Sequence, residues 1–148
     1  MKDTPLASIS HTLRALPDDQ PLLDDSLLDT LDAILGEELQ EVVALFCGKL
    51  PGMVATLLLS LRSGDHESIR HQAHSLKGSA GSMGALALTD LARRIEWQAR
   101  QHQAIPAADA PSLAALAAAT RSALAERYLA QPLPAAGEPA RPSSLDTE

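Results

Sequence analysis

The stretch His71-Gln-Ala-His74-Ser-Leu-Lys77-Gly78-Ser-Ala-Gly81-Ser-Met-Gly84 decides how the rest of this 148-residue chain is read. It holds a histidine, a lysine one helical turn later and three glycines, yet its apolar residues keep a helical period. Ile69, Ala73, Leu76 and Ala80 fall at i, i+4, i+7 and i+11, the buried stripe of a helix. His74, Lys77, Gly78 and Gly81 fall on a different stripe. The imidazole of His74 is therefore expected to face solvent, with Lys77 and Gly78 beside it. Gly78 and Gly81 each cost a helix about 0.8–1.0 kcal/mol relative to alanine, which suggests that space is needed there. An imidazole, with a reference pKa of about 6.5, is largely neutral and nucleophilic near pH 7. A cation one turn away can stabilise an anionic group placed on it.

Working outward, the same period recurs on both sides. Asp24 or Asp25 offers an N-cap to a short helix with Leu27, Leu28, Leu31, Ile34 and Leu35, ending at Gly36. Glu37 and Glu38 open a longer helix to about Ser63, its apolar positions running from Leu39 to Leu61. Pro51 lies inside it and should leave one carbonyl unpaired and bend it. Asp65 caps the helix that carries His74, and Ser82-Met-Gly84 turns the chain. A fourth helix spans about Ala85 to Gln103 with Leu88, Leu91, Ala92, Ile95 and Ala99 inward; Arg93, Glu96 and Arg100 form its polar stripe. A last helix starts near Pro111 and packs through Leu113, Leu116, Ala117, Thr120, Leu124 and Tyr128. Hydrophobic residues make up 45% of the chain but include only one Phe, one Trp and one Tyr, so the core must be leucine and alanine, which suits helices better than sheets. The expected fold is all-α, an antiparallel four-helix bundle with a short preceding N-terminal helix. The expected organisation is a leader over 1–21, partly helical or flexible, a bundle over 22–130, and a disordered Pro/Ala/Ser-rich tail over 131–148.

Composition narrows the function. A net charge of −7 makes nucleic acid an unlikely partner, because phosphate contacts call for a basic face. The single cysteine, Cys47, excludes an internal disulfide and reads as a small buried hydrophobe. The N-terminus has no apolar signal region, and the longest apolar-rich stretch, residues 53–61, is far short of the ~20 residues of a membrane span. No membrane association and a cytoplasmic location are the expectations. His66, His71 and His74 lack the further ligands of a tetrahedral metal site, so no metal is expected. No glycine-rich phosphate loop is present, which argues against nucleotide binding and against an autonomous kinase.

Residues 74–85, His-Ser-Leu-Lys-Gly-Ser-Ala-Gly-Ser-Met-Gly-Ala, closely resemble the signature of histidine-containing phosphotransfer (HPt) domains, roughly H-x-L-K-G-[SA]-[SA]-x-x-[LIVM]-G. The Phe46…Leu50-Pro51 segment, the Gly64-Asp65 turn and the Leu91…Ile95-Glu96 segment also look like the family, and the resemblance spans about residues 22–129. It implies that His74 accepts the phosphoryl group, that Lys77 lies beside the phosphoryl oxygens, and that Gly78 leaves room for a docking receiver domain. It also implies that Gly84 makes the turn between the hairpin helices. Glu96 would accept a hydrogen bond from one ring nitrogen of His74; an ordinary surface pair with Arg93 or Arg100 is the equally open alternative. Ala73, Ser75, Gly78, Ser79, Gly81 and Ser82 are the candidate docking residues, with Leu28 and Leu31 as lesser ones. Receiver domains of response regulators and a hybrid sensor histidine kinase are the implied partners. The chain itself would need no cofactor, Mg²⁺ being expected on the receiver, and would be a monomer. The competing expectation is an HPt-like helical module that binds a partner without carrying phosphate.

Overall fold

Five helices follow one another in the structure, a computed structural model that describes residues 20–129. They are α1 (Asp25–Leu35), α2 (Glu38–Ser63), α3 (His66–Ser82), α4 (Leu86–Arg100) and α5 (Asp109–Tyr128). No strand occurs among the described residues. Nearly all of the leader and the tail lie outside them.

Local signals account for the boundaries. Asp24 Oδ1 accepts from the Leu27 amide at 3.1 Å and starts α1; Asp65 Oδ1 accepts from the Glu67 amide at 3.2 Å and starts α3. Gly36, Gly64 and Gly84 take positive φ at the ends of α1, α2 and α3, where a side chain would be strained. α4 ends at Arg100, before the expected Gln103, and His102 takes the left-handed conformation (φ 55) just beyond it. α5 begins at Asp109, so Pro111 falls at its third position, still within the first turn.

The inward stripes form one core. α2 supplies Leu39, Val43, Phe46, Cys47, Leu50, Val54 and Leu57; α3 supplies Ile69, Ala73, Leu76 and Ala80. Leu88, Leu91, Ala92, Ile95 and Ala99 face them from α4, with Leu113, Leu116, Ala117 and Leu124 from α5. α2 packs on α3 and α5, and α4 on the same two helices, so α2 and α4 stand diagonally across the bundle.

α2 runs uninterrupted through Pro51, which has no N–H to give the Cys47 carbonyl four residues back. The guanidinium of Arg121 on α5 fills that vacancy, its Nε donating to Cys47 O at 2.9 Å. Burial pushes the Cys47 thiol above its ordinary pKa, with Arg121 opposing, as suits a packed rather than a reactive sulfur. At the loop into α5, Arg94 forks onto the buried carboxylate of Asp109 at 2.8 and 3.0 Å and ties α4 to the start of α5.

α1 lies against the α3–α4 turn. The Asp24 amide donates to Gly84 O at 2.8 Å, and Leu28 is fully buried against the turn. A Cβ on Gly84 would sit 3.3 Å from Leu28 Cγ. Its φ of 72 and this close approach both require glycine.

Three apolar assignments need correction. Ile34 is 71% exposed, and Val42 too lies at the surface, although both follow the helical period of their segments. The expected limit on apolar length also fails: α2 as a whole is long and apolar enough to cross a membrane by length and composition, well beyond residues 53–61. The face that carries Leu39, Val43, Phe46, Cys47, Leu50, Val54 and Leu57 is spent in the bundle core.

Candidate functional site

α3 and α4 form an antiparallel hairpin, and across their seam stand His74 and Glu96. Ile69, Ala73, Leu76 and Ala80 point α3 into the core, which leaves the His74 side chain 62% exposed. Glu96 falls at the margin of the α4 apolar face, and its side chain is only 5% exposed. A carboxylate so placed must be paired to remain charged. Three groups pair it: His74 Nδ1 at 2.8 Å and Arg100 at 2.9 Å, both on Oε2, and Lys77 Nζ at 2.7 Å on Oε1.

Burial pushes the Glu96 carboxyl upward. The hydrogen bonds from Lys77 and His74, together with their charges, more than offset this and hold it below the ordinary carboxylate range. It is therefore ionised at neutral pH and can only accept. Nδ1 of His74 must then carry the proton, and the lone pair falls to Nε2 on an exposed ring.

The surroundings sort the remaining candidates. Ser75, Gly78 and Ser82 are exposed, while Ser79 and Gly81 are partly so. Nothing lies within 4 Å of a Cβ built on Gly78, so that glycine opens space next to the imidazole. Gly81 instead faces α4, where its Cβ would meet Thr89 Cγ2 at 3.7 Å. Ala73 is fully buried and cannot touch a docking protein; its place on the apolar stripe outweighs its place beside His74 in sequence. Leu28 is buried as well, and Leu31 is half-buried against the core. Lys77 lies one turn from His74, and its half-buried ammonium rests on Glu96. His71 is exposed and stays outside this constellation.

The two readings of Glu96 turn out not to be alternatives. One carboxylate holds His74 and Arg100 together, while Arg93 pairs with Asp90. Arg100 is the site member that sequence reasoning missed, although its i+4 spacing from Glu96 was in view. Among the described residues no cluster of His, Cys, Asp and Glu is arranged to hold a metal ion.

A family model described as the Hpt domain matches residues 41–126, more than half of the chain. The chain belongs to the histidine-containing phosphotransfer (Hpt) domain family. The match begins within α2, so α1 stands outside it. Among solved structures, this Hpt chain is similar to the crystal structure of histidine-containing phosphotransfer protein B (HptB) from Pseudomonas aeruginosa PAO1. The two are 26% identical with a TM-score of 0.67, over 73% of this chain and 95% of that one. Comparison with curated proteins finds no significant match.

Proposed function

We propose that this Hpt protein is a phosphorelay intermediate that accepts a phosphoryl group from a receiver-domain aspartate on Nε2 of His74 and passes it to a second receiver. One observation carries the reading: a buried, ionised Glu96 accepts a hydrogen bond from Nδ1–H of an exposed imidazole inside the family's His-x-x-Lys-Gly motif.

The chemistry follows from that bond. The Nε2 lone pair attacks phosphorus in line, an N–P bond forms, and the P–O bond to the aspartate breaks with the carboxylate leaving. The Nδ1 proton stays where it is. The imidazole, now substituted on Nε2 and protonated on Nδ1, is cationic, and Glu96 lies 2.8 Å away to balance it. Lys77, whose ammonium is already on this seam, can turn from Glu96 Oε1 to a phosphoryl oxygen, and Arg100 still holds the carboxylate through Oε2. The loose transition state asks mainly for positioning and charge, which these side chains provide. Gly78, with Ser75, Ser79 and Ser82 around it, gives the receiver clearance. The partner supplies the Mg²⁺ and its coordination. The chain carries no ATP site of its own on this reading, acts as substrate and donor rather than kinase, and works in the cytoplasm with a hybrid sensor kinase upstream.

The test is transfer of labelled phosphate from a phosphorylated receiver. Acid-labile, base-stable label on the wild type, absent from His74→Gln, is the expected result. Label that persists in His74→Gln refutes the assignment, and a chain that binds receivers but never takes label is a docking module instead.

A further inference from the structure

α2 buries one face in the bundle and leaves another without a partner, and that free face is not the polar one a surface helix normally presents. Only 33% of its most apolar window is buried. Leu45 and Leu59 are 62% and 64% exposed, and between them the outward positions are Gly48, Gly52, Ala55 and Thr56. Cβ atoms built on Gly48 and Gly52 would meet nothing within 4 Å. Lys49 is the one charge inside this stretch. Glu41 stands exposed before it and Arg62 exposed after it, and neither has an ion pair among the described residues.

The pattern is symmetric about Gly52. Leu45 and Leu59 lie seven residues to either side, Gly48 and Thr56 four, and Glu41 and Arg62 eleven and ten. A surface that pairs with its own copy across a two-fold axis must be complementary to itself when reversed, and here the two leucines and the two end charges are, while Lys49 falls opposite Ala55. We infer that the outward face of α2 is a dimerisation surface, its occupant the α2 of a second copy running antiparallel across a dyad at Gly52. Leu45 then packs on the partner's Leu59 and Leu59 on the partner's Leu45. The glycines let the two backbones approach at the crossing, and each Glu41 meets the partner's Arg62. Within one chain these two residues are about 31 Å apart along the helix and cannot pair. Because α4 is diagonal to α2, its Glu96 and Arg100 stay clear of this interface.

Area sets the strength. A 26-residue helix is ~39 Å long and presents a strip ~10 Å wide, so two strips bury roughly 800 Å². That is below the standard size of stable interfaces, and the expected dimer is weak, with a dissociation constant of about 10–100 μM. The Lys49 ammonium must extend to solvent at the edge of the contact.

Sedimentation equilibrium of the full chain from ~10 μM to ~1 mM tests this, with circular dichroism confirming helicity. The wild type should pass from monomer to dimer over that range, and Leu45→Asp with Leu59→Asp should stay monomeric. Glu41→Arg and Arg62→Glu should each weaken association about tenfold by placing like charges together. The double swap should restore it to within about threefold, which no other occupant or orientation of α2 would produce. A wild type that remains monomeric at ~1 mM overturns the inference. So does a dimer indifferent to the two aspartates, or one that the double swap fails to rescue. Phosphate transfer to His74 is read separately and is not at stake in any of these outcomes.

Discussion

Replacing Glu96 with alanine takes away the acceptor that fixes the His74 tautomer, and the size of the effect can be worked from the site. A hydrogen bond to a charged group contributes about 1.5–3 kcal/mol, but the imidazole is 62% exposed, and water screens and competes for the bond. Discounting for that leaves roughly 1 kcal/mol in favour of the Nδ1–H, Nε2-lone-pair form. The ratio of the Nδ1–H to the Nε2–H tautomer should then fall about fivefold, and the initial rate of transfer from a phosphorylated receiver should fall with the attacking population, by up to about that factor. Glu96→Gln should lie between, because an amide oxygen still accepts but carries no charge. Two readouts are needed. Nitrogen-15 NMR of the ring reports the tautomer without any receiver, and labelled-phosphate kinetics reports the rate. Thermal melts show whether Lys77, left partly buried without its carboxylate, also costs stability, by about 1–2 kcal/mol. A Glu96→Ala protein with the wild-type tautomer ratio and the wild-type rate would refute the reasoning, since the 2.8 Å contact would then be doing nothing to the ring.

Gly78→Ala should raise stability by about 0.8–1.0 kcal/mol, because its Cβ meets nothing and alanine is the better helix former. Gly78→Leu should slow receiver transfer at least tenfold while the fold stays intact by circular dichroism, if the open space there is clearance for a partner. Arg121→Met should destabilise by about 1–3 kcal/mol in urea titrations, because the Cys47 carbonyl opposite Pro51 loses its donor. The Glu96 carboxyl sits below its ordinary value in the folded chain, so its contribution to stability is fully present above about pH 4.3, the unfolded value. That contribution is lost as pH falls through the depressed folded value. Acid titrations of wild type and Glu96→Gln should therefore stay separated above about pH 4.3 and converge as pH falls through the depressed folded value.

Much of this molecule was legible because helical periodicity is a local property. The stripes of α3 and α4 could be read off Ile69, Ala73, Leu76 and Ala80 and off Leu88 to Ala99, and these fix the outward aim of His74 and the place of Glu96 beside it. Caps were legible for the same reason, since Asp24 and Asp65 act within three residues of themselves. Pairings across the chain were not. Pro51 announces a carbonyl without a donor, but nothing in its neighbourhood points to Arg121, some seventy residues on. Nor can a list of candidate partners for Glu96 reveal that two of them share Oε2 while a third takes Oε1.

Periodicity also has a blind side, and α2 shows why. It assigns a face to the core by contrast with a polar face opposite. α2 offers little contrast, since apolar or small residues continue around the helix at Val42, Leu45, Gly48, Gly52 and Leu59. The period therefore places Val42 inside, and the bundle, which has room for only one face of each helix, leaves it out. The same lack of contrast is what leaves a surface fit for a second copy. A face that sequence patterning cannot classify is one that the monomer does not use, and the charges at its two ends, Glu41 and Arg62, are opposed only when the helix meets itself in reverse.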